Sequence, residues 1–585
     1  MSEDEGVTLL LQGIGIDDQR NRASLHDLAE ATVTRLGGLP LAIAIAAARV
    51  RSQGRDGGFA AAIDQYNEDF DLNKDILLKI DAFRGLRNNQ QTVWTVWNTA
   101  FMAIADEGRD YGLWPLKMLT FLAFFSRTGV GRDFFQYASL GLAEMHGWFP
   151  QPEVLPDWLT SLVAVRSGEW DDFSYRQSVT ALADFHLIQR RTNSGHRDDE
   201  VLTMHDLIHW RALFESDHDL MWAKWYTILV GAASYHLARR PPTHDSSEAY
   251  ARLILHMPST RDTTRCLKSI QPTHRARVLH DMGSVFFDQE QYLAASKFYT
   301  RACEIAASAP GMLLDPETIS YLESLAVTQT QLHRADDALK CYVQIVRAYT
   351  HIYGEDDKRT LIARMARADM MRSENDIEGA AEERGHILQS LTRIFGVQDN
   401  DTILALVKLA ESLLDLGRYE FAAECSEKAV MQMEALVGPD HPKTLHGMSV
   451  LSLSYQALNQ LEASQALEER VLASKQLRSG TEDRQGVLAS KRRLASIHML
   501  QSNFDEAVIL SAEVDDKASS AFGPQHMFTA CAARDYGLAL RAVGRADDAH
   551  AKLIEARELL QQMDDPQGIL GEVDSALEQF QQAIQ

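Results

Sequence analysis

A beat of 42 residues runs through the second half of this chain and leaves few folds open to it. Gly354, Gly396, Gly438 and Gly480 follow one another at that interval, Gly523 comes 43 later, and Thr318, Thr360, Thr402 and Thr444 keep the same step. Within each period a small residue recurs, at Gly283, Ala326, Ala368, Ala410, Ser452, Ala495 and Gly537. Twelve residues later comes another, at Ala295, Ala338, Ala380, Ala422, Ser464, Ala507 and Ala549. A third set, seven further on, is Ala302, Ile345, Ile387, Ala429, Val471, Val514 and Ala556. Three independent sets holding one period predict seven helix hairpins over 276–562. The small pair marks where the two antiparallel helices cross; a side chain larger than Ala or Ser there would push them apart. Each hairpin leaves an apolar face that only the next one covers, so the array is cooperative. The second helices end on glycine, as at Leu436-Val437-Gly438-Pro439.

Upstream, apolar residues also recur at helical spacing, over Trp94–Ile104, Leu116–Phe125 and Val179–Asp184. The exception is a predicted hairpin, Phe185–Gln189 and Val201–Met204 around the polar turn 192–198, with a helix following from about His205. Helices followed by a two-stranded hairpin predict a winged-helix-like domain. The expected divisions are a helical piece over 1–85, the winged-helix-like domain over 86–215, a helical linker over 216–275, the repeats over 276–562, and a capping segment over 563–585 with a helix Ile569–Ile584. The fold class is mostly all-α.

Charge and composition exclude several functions. Lys and Arg total 58 against 82 for Asp and Glu, a net charge of −24, which repels phosphate backbones and argues against nucleic-acid partners. The tip of the hairpin sets only His196 and Arg197 against Asp198, Asp199 and Glu200, so DNA reading by the wing is not expected. Five scattered cysteines without a C-x-x-C pair fit reduced thiols in a cytoplasmic protein. The apolar run Leu39–Ala48 is too short to span a bilayer, and Met1-Ser2-Glu3-Asp4-Glu5 is no secretory start, so no membrane partner is expected. His205 and His209 lie one helical turn apart, but Asp206 stands where a zinc hydrolase needs Glu and no third ligand is near. No metal, cofactor or catalytic residue is expected, and the protein is read as a non-enzyme.

The repeat resembles the tetratricopeptide repeat in the 42-residue form of kinesin light chains; Leu416-Gly-Arg-Tyr-Glu-Phe-Ala-Ala-Glu-Cys-Ser-Glu-Lys-Ala429 carries the likeness most fully, with Phe504-Asp-Glu-Ala507 and Ala546-Asp-Asp-Ala549 in shorter form. The resemblance implies an α-solenoid that binds a partner peptide or helix along its first helices. On that analogy the groove carries Glu323, Asp369, Arg372, Glu411, His446, Arg492, Arg534 and Arg541. Arg492, Arg534 and Arg541 in so acidic a chain point to an acidic ligand segment, held by bidentate hydrogen bonds; self-association stays open as a further mode of partnering.

Two earlier motifs widen the resemblance. Leu36-Gly-Gly-Leu-Pro-Leu-Ala42 opens an apolar helix, and Met204-His205-Asp206 stands where the hairpin gives way to a helix. In this order, before the repeats, they resemble the C-terminal part of NB-ARC-type signal-transduction ATPases, nearest to fungal forms with kinesin-light-chain-like repeats. That resemblance implies adenine packing by Pro40 and phosphate contact by His205. No Gly-Lys dipeptide occurs in the chain, and 36 residues before Gly37 are too few for the phosphate-binding core, so hydrolysis is not expected. Truncation and genuine loss of that core both remain open. The leading expectation is a protein-interaction scaffold in NLR-like signalling; the rivals are the regulatory part of a signalling ATPase, a kinesin-light-chain-like cargo adaptor, and a winged-helix transcription regulator.

Overall fold

The computed structural model describes residues 1–585 except 17, 78–86, 108–113, 127–128, 146–154, 193–199, 207, 210–211, 213–219, 241–243, 269, 309–314, 479–483, 524–525, 563–567 and 585. Gly480 and the residues expected at the hairpin tip, His196–Asp199, lie outside the described residues. The chain forms two compact units, 1–332 and 333–585. Their boundary falls inside the repeat array and not at residue 276.

In the first unit, helices Glu3–Ile14, Gln19–Arg35, Pro40–Gly57, Phe59–Leu77 and Asn88–Glu107 pack together. Gly37 and Gly38 take left-handed conformations, φ 61° and 63°, and Pro40 sits at the first helical position, where a missing N–H is harmless. Among the described residues five short strands follow: β1 (Val130–Gly131), β2 (Val165–Arg166), β3 (Glu169–Trp170), β4 (Gln189–Thr192) and β5 (Glu200–Thr203). β1, β5 and β4 form an antiparallel sheet in that order, and β2 pairs β3. The expected strand Phe185–Gln189 is displaced: the strand starts at Gln189. Phe185, Leu187 and Ile188 are buried where the helix Phe173–Asp184 closes, with the Leu187 N–H donating to the Leu182 carbonyl, 2.9 Å. The apolar run seals a helix end instead of lining a sheet.

The segment expected as a linker is packed. Helix Leu220–Leu237 lies along helix Arg132–Glu144 and also along the first helix of the array. A Cβ on Gly141 would stand 1.9 Å from the Ala232 carbonyl oxygen, so only glycine permits this crossing.

The array consists of α1 (Pro272–Asp288), α2 (Tyr292–Ala307) and α3 (Pro316–Gln331) in the first unit. The second unit continues with α4 (Ala335–Tyr353), α5 (Lys358–Ser373), α6 (Ile377–Phe395), α7 (Asn400–Asp415), α8 (Tyr419–Val437), α9 (Pro442–Ala457) and α10 (Leu461–Arg478). It ends with α11 (Arg484–Leu500), α12 (Phe504–Phe522), α13 (Met527–Ala542), α14 (Ala546–Gln561) and α15 (Ile569–Ile584). Odd-numbered helices are the first of each hairpin. Every small residue of both crossing sets is buried, as is every member of the third set. A Cβ on Gly283 would meet the Tyr299 ring at 2.8 Å, and one on Gly537 would meet Leu553 Cγ at 2.9 Å. At the one all-serine crossing each hydroxyl donates to the other residue's carbonyl, 3.0 and 2.8 Å, and the two oxygens lie 2.9 Å apart.

The periodic glycines and threonines have a joint role. Gly354, Gly396, Gly438 and Gly523 end second helices with φ of 87–98°. Thr360, Thr444 and Thr529 each donate a hydroxyl hydrogen bond back to the glycine carbonyl six residues earlier, 2.7–2.8 Å. Asp315, Asp357 and Asp399 accept from free N–H groups at the next helix start. The turn inside each hairpin has its own beat: Glu290, His333, Asn375, Gly417, Asn459, Ser502 and Gly544 all have positive φ, seven residues after the first crossing position.

Candidate functional site

Within the second unit, first helices of adjacent repeats touch each other: α5 with α7, α7 with α9, α11 with α13, α13 with α15. Among the described residues, second helices of adjacent repeats do not approach to the same extent. The odd helices therefore form the inner wall of a curved stack.

The inner wall opens into a cavity of about 670 Å³, a volume typical of ligand sites. α9 supplies Leu453 and Gln456, α11 Arg492, Arg493, Ser496 and Met499, α13 Phe528, Arg534, Asp535 and Leu538, and α15 Glu572. Most of these fall three residues before, or one or four after, the crossing residue. Leu453, Met499, Phe528 and Leu538 give it apolar walls.

The cavity arginines are not free cations. Asp535 bonds both Arg492 (2.5 Å) and Arg534 (2.7 Å), and Arg534 also reaches Glu572 of α15 at 2.7 Å. Arg492 lies 5.4 Å from the centre of the Phe528 ring. Arg541, exposed, donates to Gln579 of α15 at 3.0 Å. Arg493 is held from behind by Glu468, 2.8 Å, whose side chain is 0% exposed. Expectation and structure differ here: the three arginines are matched by Asp535, Glu572 and Gln579, so a ligand must compete for them.

Asp369, Arg372, Glu411 and His446 are gathered into a second network on α5, α7 and α9. Arg372 pairs with Asp415 and stands 3.9 Å from Glu411; Lys408 lies 3.6 Å from Asp369 and 3.3 Å from Glu411; His446 Nε2 is 3.0 Å from Glu411. Burial alone would raise Glu411, but His446, Lys408 and Arg372 overcome it and hold the carboxyl down at about 2. Arg384 closes this network from α6. Its side chain is 1% exposed, pairs with Asp369, and donates to the Lys408 carbonyl and Ser412 Oγ, each 2.6 Å.

Glu323 is half-buried on α3, in the first unit. Pro40 and His205 are both exposed, the one opening its helix and the other two residues beyond β5. The His209 N–H donates to the His205 carbonyl, 2.9 Å. Among the described residues, the one His/Cys/Asp/Glu group close enough to share a metal is the exposed trio His26, Asp27 and Glu30.

Sequence reasoning missed Arg384, Glu468, Arg493 and Asp535. Arg384 and Glu468 had a signal. Both lie four residues after the second crossing position, where the other repeats carry Tyr299, Tyr342, Ser426, Ser511 and Leu553, so a charge there is a charge aimed inward.

Comparison with known proteins places residues 401–476 and 486–562 under the tetratricopeptide-repeat family model. These segments carry tetratricopeptide repeats. No curated protein matches the chain. Among solved structures it is similar to the nearly identical TPR-like repeats of a putative kinesin light chain from Podosopora anserina, at 20% identity, 34% of this chain, 95% of that chain and a TM-score of 0.31. A signal-transduction ATPase with a tetratricopeptide repeat sensor from Pyrococcus horikoshii aligns at 11% identity over 99% of this chain and 75% of its own, with a TM-score of 0.38. The apo quorum sensor NprR from B. thuringiensis aligns at 11% identity over 60% and 92%, with a TM-score of 0.40. Among the described residues no helix is long and apolar enough to cross a membrane.

Proposed function

We propose that this chain is a non-enzymatic interaction scaffold. Its cavity on the inner wall receives one segment of a partner protein, with an apolar side chain between Leu453, Met499, Phe528 and Leu538. A carboxylate of that segment displaces Asp535 or Glu572 from the arginines. The observation that carries this reading is the cavity of about 670 Å³ that combines apolar walls with Arg492 and Arg534. The family supports it, since tetratricopeptide repeats serve as protein-interaction surfaces. Arginine suits the role because its planar fork grips a carboxylate through two hydrogen bonds.

The test is fluorescence anisotropy on the full chain with labelled twelve-residue peptides, each holding one Leu, Phe or Trp among Glu and Asp. At least one peptide should bind, and Arg492→Glu should weaken it about tenfold or more. Arg470→Glu, on outer helix α10, should leave affinity unchanged. Failure of every peptide to bind, or equal binding by Arg492→Glu, defeats the proposal.

A further inference from the structure

The capping residue of the first helices changes along the array. Asp357 and Asp399 cap α5 and α7, whereas His441 and His526 cap α9 and α13, with Nδ1 accepting from the Lys443 N–H (3.2 Å) and the Phe528 N–H (3.0 Å). A carboxylate keeps this role well into acid, and Arg359 and Lys358 hold Asp357 and Asp399 below the usual aspartate range. An imidazole loses the accepting lone pair when Nδ1 is protonated, and the resulting cation faces the positive end of a helix.

At α13 a second histidine is present. His333, two residues before α4, packs its ring against His526 with centroids 5.6 Å apart and planes at 71°. His333 opens the second unit and His526 lies 193 residues further on, so the stack brings its beginning against the start of α13. Phe522, at the end of α12, lies 5.1 Å from His526 and stacks on Phe528 at 4.1 Å. Phe528 is a wall of the cavity, with Arg492 of α11 over its ring.

The charged and titratable surroundings are few. Residues 518–533 hold no Asp, Glu, Lys or Arg, and their other titratable group is the buried Cys531. From the opposite side come His333 itself, Arg334 and the first-turn acids Asp336 and Asp337 of α4, the last two held by Lys340. From α11 comes Arg492, bound to Asp535. Burial, and then the neighbouring His333, keep His526 below the ordinary histidine value.

We propose that His526 and His333 form an acid-released latch on the cavity. With its own ring neutral, His526 caps α13 and rests on His333, so Phe528 is held in the cavity wall. A proton taken up at His526 Nδ1 leaves the Phe528 N–H without its acceptor and sets a cation against a second titratable ring. The start of α13 and the turn before α4 then come free together. Because the folded state favours the neutral ring, the latch holds fully above the usual histidine value of about 6.5 and is lost as pH falls through it toward the lower folded value. The control of binding rests on the reading of the cavity as the ligand site; the latch itself does not.

The experiment is hydrogen exchange read by mass spectrometry on the full chain at pH 7.5 and 5.5, corrected for intrinsic rates. Amides of 527–531 and 335–338 should exchange about tenfold faster at pH 5.5. His526→Asn, which keeps a capping acceptor that does not titrate, should abolish the step. His333→Asn, which leaves the cap in place, should reduce it to about threefold. An unchanged wild-type pattern, or a step that survives His526→Asn, overturns the latch. A step of the expected size in a protein that binds none of the peptides at pH 7.5 keeps the latch and removes the binding reading.

Discussion

Glu411 shows what a single side chain contributes on the inner wall. Its side chain is 12% exposed, yet it stays ionised because His446, Lys408 and Arg372 surround it. A carboxyl held at about 2 when folded, against 4.5 in the free chain, stabilises the fold above pH 4.5. That stability drains away as pH falls through the interval, a loss on the order of 3 kcal/mol. Glu411→Gln should therefore be less stable than wild type at pH 7 and should show a flatter acid limb between about pH 4.5 and 2, read by urea unfolding across pH. An unchanged limb would place the charge compensation elsewhere. That Glu411, Asp369, Arg372 and His446 sit on first helices could be read from their place in the repeat. Their mutual pairing could not, because it depends on residues about one period apart meeting across neighbouring helices.

At the scale of the helix pair, the crossing rule carries most of the information. Small residues twelve apart determine where two helices meet, and the structure buries all of them. The Ser452–Ser464 crossing turns this into a measurable coupling. Each hydroxyl donates to the opposing carbonyl and lies against the other hydroxyl, so Ser452→Ala and Ser464→Ala should each cost about 1 kcal/mol. The double variant, which reproduces the Ala–Ala crossings of the neighbouring repeats, should cost less than the sum by roughly 0.5–1 kcal/mol in urea melts. Strict additivity would mean the hydroxyls act independently. The hairpin of the first unit marks the limit of such local reading. Phe185-His-Leu-Ile188 has strand composition, yet its apolar side chains close a helix end, and periodicity cannot tell a short buried strand from a buried helix terminus.

Over the whole array, each hairpin is stabilised by its neighbours, and α15 does this for the last one. Ile569, Val573, Ala576 and Leu577 of α15 join Leu553, Ala556 and Leu560 of α14 and Cys531 of α13 in one core cluster. Deleting 563–585 should raise amide exchange in α13 and α14 by tenfold or more while leaving α5–α9 protected, since a stack transmits stability only to nearest neighbours. Uniform loss of protection would show that the second unit unfolds as one block. The helix positions and their crossings were legible in the chain itself, because they follow from spacing within a single hairpin. The matched arginines, the partners that Arg384 and Glu468 find, the cavity closed by Glu572, and the meeting of His333 with His526 were decided only by the folded stack. Most of those contacts cross from one hairpin to another, and the angle by which each hairpin turns on the last, which no local pattern encodes, sets which charges and rings come within reach.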